Sequence, residues 1–147
     1  MAAGAWTFYN VAKKHLMDGV LNVSTGTFNM SLYTSASNAA TLTLSTRGSV
    51  TSEVTEANGY SSSGKALASV TWAVGASATE WRWNCAAIVW TAAGGSIASV
   101  KFAVIWAKTP TADKLVCFSQ LSTAAFAVTS GNTLTITPSA NGIFELN

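Results

Sequence analysis

The spacing of apolar residues changes at Gly19, and that change limits the folds open to this chain. Ahead of it Tyr9, Ala12, Leu16 and Val20 share one helical stripe, while Lys13, Lys14 and Asp18 occupy the other side. This predicts a helix over Ala5–Asp18, stopped by a left-handed Gly19 with Lys13, Lys14 and His15 in or near its last turns. Beyond Gly19 the period becomes two. Phe28, Met30 and Leu32 alternate with Asn29, Ser31 and Tyr33 after a Ser24-Thr25-Gly26 turn, the pattern of a half-exposed strand.

Period-two segments recur to the C-terminus. Strands are predicted at Lys65–Val74, with Val70, Trp72 and Val74 on one face, and at Glu80–Cys85, with Trp81, Trp83 and Cys85 opposite Arg82 and Asn84. More follow at Ile88–Trp90, Phe102–Trp106, Leu115–Leu121, Asn132–Thr137 and Gly142–Leu146. Pro110 and Pro138 both fall in predicted turns, as strand pairing requires. Between Ser35 and Gly64 lies a long Ser/Thr/Asn/Ala-rich loop with a short helix expected around Ser49–Glu53 and turns at Asn58-Gly59 and Ser61–Gly64. Many short strands separated by turn residues predict a mainly all-β, antiparallel β-sandwich or barrel-like fold with one short N-terminal helix. The 147 residues are expected to form a single domain, 1–147, with an arm and helix over about 1–19 preceding the β-sandwich over about 20–147.

Charge decides which partners fit. Charged residues make up 10% of the chain, against about 25% in ordinary soluble domains. The net charge is +2 and only Lys13 and Lys14 among the bases are adjacent, so nothing forms the basic stripe that follows a phosphate backbone, and no nucleic-acid partner is expected. A surface this rich in hydroxyls has little charge repulsion to hold neighbours apart. The Ala86–Ala107 stretch is long enough to span a bilayer, but Gly94-Gly95 divides it and Lys101 sits within it. Two strands joined by a glycine turn account for it better, and no membrane partner is expected. No secretory signal is visible, so the Asn22-Val23-Ser24 and Asn29-Met30-Ser31 matches to the glycosylation pattern are read as chance.

No catalytic constellation emerges. The single histidine, His15, has Asp18 as its nearest acid, one turn away on a short helix. Glu53 and Glu56 form a possible carboxylate pair, but nothing apolar surrounds them in sequence and a solvated loop is expected. Cys85 and Cys117 match no metal or redox spacing and read as buried thiols, although sequence cannot show whether they pair. No catalytic residue, metal site or cofactor is therefore expected, and the chain reads as a non-enzyme. Of the six tryptophans, Trp72, Trp81, Trp83, Trp90 and Trp106 run largely in phase with aliphatic neighbours, as core residues do. Trp6 stands apart in a small-residue arm, where both an interface and intramolecular docking remain open.

The order of segments resembles a family of small virion proteins of tailed bacteriophages. The resemblance rests on a short helix followed by LMDGVLNVSTGTFNMSLYTS (Leu16–Ser35), then SVTSEVTEANGYSSSGKAL (Ser49–Leu67), IVW at Ile88–Trp90, AVIW at Ala103–Trp106 and TLTITPSANGIFEL (Thr133–Leu146). Asn22 and Ser24 stand where relatives commonly carry acids, and Ser63 where a Gly-Gly pair is common. The resemblance implies a structural component, a capsid decoration or cement protein made in the host cytoplasm and carried on the capsid exterior. Its implied partner is the major capsid protein, with the chain itself a homo-oligomer, a trimer being favoured. The arm residues Trp6, Phe8 and Tyr9, and Arg47, Glu53 and Tyr60 of the long loop, are the expected interface residues. On this reading the weakly charged Phe28–Thr34 strand is suited to lying against neighbouring subunits. The alternative is a tail- or fibre-associated module binding host-surface glycan, with Trp81 or Trp83 stacking on sugar.

Overall fold

A computed structural model of the chain describes residues 4–109 and 111–146. It is mostly β, with 41% of residues in strands against 8% helical, and every strand pairing is antiparallel. In chain order the elements are β1 (Thr7–Phe8), α1 (Asn10–Met17), β2 (Phe28–Thr34), a 3-10 turn at Arg47–Ser49, β3 (Lys65–Ala66) and β4 (Thr71–Val74). There follow β5 (Trp81–Asn84), β6 (Ile88–Thr91), β7 (Ile97–Ala107), β8 (Lys114–Gln120), β9 (Phe126–Val128), β10 (Thr133–Ile136) and β11 (Phe144–Leu146).

The main sheet has the order β1-β8-β7-β2-β3, and β9 extends the β8 row along the start of β7. Two smaller sheets, β10-β6 and β11-β5-β4, cover one of its faces. The register puts Phe28, Met30 and Leu32 of β2 beside Ala107, Ile105 and Ala103 of β7 on that face. There Phe28 meets the ring of Trp83 edge-on at 4.9 Å, joining the layers. Trp83 and Trp90 are fully buried, and removing an aromatic of this size from water contributes about 2–3 kcal/mol. The arrangement is sandwich-like, as the alternation predicts.

The opposite face departs from expectation. Ser31 and Tyr33, on the side read as exposed, are 0% and 1% accessible. The cover is the chain's own Ser35–Gly64 loop. Thr34 donates to Ser52 O and Val54 to Leu32 O, so the loop pairs with the edge of β2. Earlier in the loop, Leu115 donates to Ser45 O and Arg47 to Asp113 O, tying it to the entry of β8. A strand covered on both faces needs no charged side chain, and a hydroxyl-bearing face suits a cover of polar loop backbone. The scarcity of charge on Phe28–Thr34 thus follows from packing within one chain.

Several boundaries also move. The helix is shorter than the stripe implies because Thr7 and Phe8 pair with Phe118 and Cys117 of β8. Gly19 makes the left-handed stop at φ +73°, and Val20, past it, is exposed. The short helix expected around Ser49–Glu53 is a single 3-10 turn lying earlier, at Arg47–Ser49, because Ser52–Val54 is extended along β2. The Lys65–Val74 segment is two strands in different sheets, broken near Ser69 at φ +50°. Gly94-Gly95 does connect two strands, but not as a hairpin: β6 pairs with β10 while β7 belongs to the main sheet. Pro138 is buried just ahead of the Ser139–Gly142 turn, and Pro110 lies outside the described residues.

Candidate functional site

A mainly apolar groove of about 940 Å³ lies where the N-terminal arm and α1 face the three-stranded sheet β11-β5-β4. Its walls are Trp6, Thr7 and Phe8 of the arm, Lys13, Leu16 and Met17 of α1, the Gly19–Ser24 turn, Leu42, Trp72, and β11. Phe8 and Phe144 close the floor edge-to-face at 4.9 Å. Apolar side chains that the fold leaves in water gather here: Met17 is 88% exposed, Leu146 57% and Leu42 38%. The apolar face continues beyond the groove, because Leu146 pairs with Trp81 and Trp81 with Val74 on the same side of that sheet. Trp81 and Val74 are 45% and 54% exposed, and the Trp81 ring stacks on Trp72 at 5.9 Å and 28°.

The six expected interface residues divide. Trp6 and Phe8 are half-buried against the core and line the groove. Tyr9 is fully buried, with its hydroxyl donating to Ala39 O at 2.6 Å, so its side chain offers a partner no surface. The same correction applies to Tyr60, which is 3% accessible. Arg47, Glu53 and Tyr60 come together, but as an internal brace. The Arg47 guanidinium pairs with Glu53 at 3.1 Å and lies 4.6 Å above the Trp106 ring. The same guanidinium donates to Ser62 O. Tyr60 donates to Glu53 Oε1 at 2.6 Å and receives the Leu32 N–H at 3.0 Å. Glu53 is therefore not the solvated acid the sequence implies; Glu56 is, its carboxyl held below the usual range by hydrogen bonds from Ser62. A cleft of about 500 Å³ beside the brace is lined by Thr46, Arg47, Gly48, Val50, Glu53, Ala112 and Asp113.

Other candidates are placed as follows. Asp18 pairs with Lys14, and the His15 Nδ1 is buried without a hydrogen-bond partner, so the two form no relay. Cys85 and Cys117 are free and buried. Burial pushes the Cys85 thiol up to about 11, and burial followed by the neighbouring Cys85 holds Cys117 well above the usual thiol range. Among the described residues no group of three or more His, Cys, Asp or Glu could hold a metal ion. No helix among them is long and apolar enough to cross a membrane. Trp83, one of the two proposed sugar platforms, is wholly buried with its indole N–H on Val23 O at 3.1 Å.

Sequence reasoning missed Met17, Leu42 and Leu146 as surface features. One signal was present: Met17 follows Lys13 by one turn, on the helix face that the pattern assigns to charge. No protein-family model, curated protein or solved structure matches this chain.

Proposed function

We propose that this chain is a structural virion protein of a tailed phage, a decoration protein that binds the outside of the head and stabilises the capsid lattice. The observation that carries the reading is the apolar groove with Met17 and Leu146 standing in water at its rim. A contiguous apolar surface in a weakly charged chain is suited to covering by another protein. The ordered resemblance to small phage virion proteins supplies the partner: the major capsid protein, contacted by copies of this chain arranged as trimers. Many copies that bind only the assembled lattice stabilise it by mass action, each contact adding a modest increment. Purified protein added to mature heads lacking it should co-sediment at a fixed ratio to the major capsid protein. Failure to bind under conditions where the heads stay intact would remove the reading.

A second reading is favoured by one feature, the exposed Trp81 ring held flat by stacking on Trp72. Such a ledge suits the apolar face of a sugar, and a tail- or fibre-associated module would use it on host glycan. Binding on a glycan array that Trp81→Ala abolishes would select this reading over the first.

A further inference from the structure

The groove is bordered by two strand edges that, among the described residues, no other strand covers. Among the described residues β1 is the terminal strand of the main sheet and pairs only with β8, and β11 is terminal in its own sheet and pairs only with β5. Thr7 and Phe8 of the first, and Phe144, Glu145 and Leu146 of the second, line the same groove. An open edge presents main-chain donors and acceptors to any extended chain laid beside it.

The charges at this place are unequal. Lys13 on the groove wall is exposed and, among the described residues, has no ion-pair partner. Glu145, which also lines the groove, is neutralised by Arg82 at 3.0 Å, and nearby Lys14 is held by Asp18. The uncompensated charge is therefore positive.

We propose that the groove takes an extended peptide segment of a partner protein, added as a strand to the open edge of β11, with apolar side chains at alternate positions and an acidic side chain against Lys13. This rests on the reading of the chain as a protein that grips other coat subunits, and it names the chemistry of the gripped segment. Main-chain hydrogen bonds to β11 would supply register, the walls formed by Phe8, Leu16 and Trp72 would receive alternate side chains, and the lysine would fix polarity.

The test is selection of random dodecapeptides on the intact protein. Enriched sequences should alternate apolar and polar residues and carry an acid at one fixed place. On a Lys13→Glu variant the selected charge should change to basic, and the original peptides should bind about fivefold more weakly, the size expected of an exposed ion pair. Lys13 is exposed, so unchanged thermal unfolding of the variant confirms that its fold is intact. Enriched peptides lacking either feature, or no enrichment, would overturn the proposal. A dimer in sedimentation that Leu146→Asp dissolves would overturn it in favour of a second copy as occupant. Because selection uses the isolated protein, retained head binding with no peptide preference sinks this inference alone.

Discussion

Trp106 of β7 donates its indole N–H to Ser31 Oγ of β2 at 3.0 Å, between side chains that are 3% and 0% accessible. The pair sits beneath the Ser35–Gly64 loop, with the Arg47 guanidinium on the same indole ring. Ser31→Ala leaves the indole N–H buried without its acceptor and should destabilise the protein by about 1–3 kcal/mol. Trp106→Phe in the same background removes the orphaned donor, so the double variant should lose less than the sum of the single effects. Urea denaturation of the four proteins measures both quantities. An unchanged midpoint for Ser31→Ala would mean that water reaches this face.

Glu53 ties three parts of the loop together, since it receives Tyr60 and Arg47 while its backbone bridges to Tyr33. Glu53→Ala strands a partly buried guanidinium and a buried phenol together. Each loses its principal acceptor, and the loss should be about 2–3 kcal/mol. Glu53→Gln keeps an acceptor for Tyr60 but removes the charge facing Arg47, so its effect should be smaller. Equal effects in chemical denaturation would show that the hydrogen bond to Tyr60 carries little of the brace.

These two clusters show what the sequence makes legible. The alternation of Phe28, Met30 and Leu32 identifies a strand and its core face, and Gly19 marks the helix stop, because both depend on neighbours in sequence. The cover over Ser31 and Tyr33 depends on a loop whose own pattern is weak, so period-two reasoning assigns that face to solvent. Arg47, Glu53 and Tyr60 are distinctive enough to be singled out. Whether such a cluster points outward or inward is set by tertiary packing, which spacing does not encode. The groove fails for the same reason: its walls come from both ends of the chain, and no local pattern joins Met17 to Leu146.

All three tyrosines of the chain, Tyr9, Tyr33 and Tyr60, are buried. Burial, reinforced by Glu53, pushes Tyr33 up to about 12 from 10.0, while burial raises Tyr9 and Tyr60 further. The folded protein holds these protons more tightly than the unfolded chain does. Their contribution to stability is therefore complete below pH 10 and is lost as pH rises through the folded values. Phenolate absorbance should stay flat near pH 10 and rise together with loss of tertiary structure at higher pH. A phenol that ionises at its ordinary value in the folded protein would contradict the burial of one ring.

The two thiols should behave as interior groups. Cys85 and Cys117 lie within the core, unpaired and protonated at neutral pH. A thiolate-seeking reagent should label neither in the native protein and both after denaturation without reductant. One-to-one labelling of the native chain would place Cys85, 8% accessible, at an opening edge of the sheet.

Gly59 and Gly64 flank Tyr60 in the long loop, and both have left-handed backbones, at φ +90° and +65°. A Cβ at Gly59 would stand 2.1 Å from Thr91 O, and one at Gly64 2.3 Å from Met30 O. Both obstacles are backbone atoms of paired strands, so the clash cannot be relieved by turning a side chain. Alanine at either position should cost roughly 2–4 kcal/mol, from strain and displaced backbone together. Gly48→Ala serves as the control, because nothing lies within 4 Å of its Cβ position and its backbone is not left-handed. Thermal unfolding should separate the first two variants from the third. If all three melt together, the loop sits farther from β2 and β6 than its hydrogen bonds indicate, and the covered face of β2 would again be open to partners.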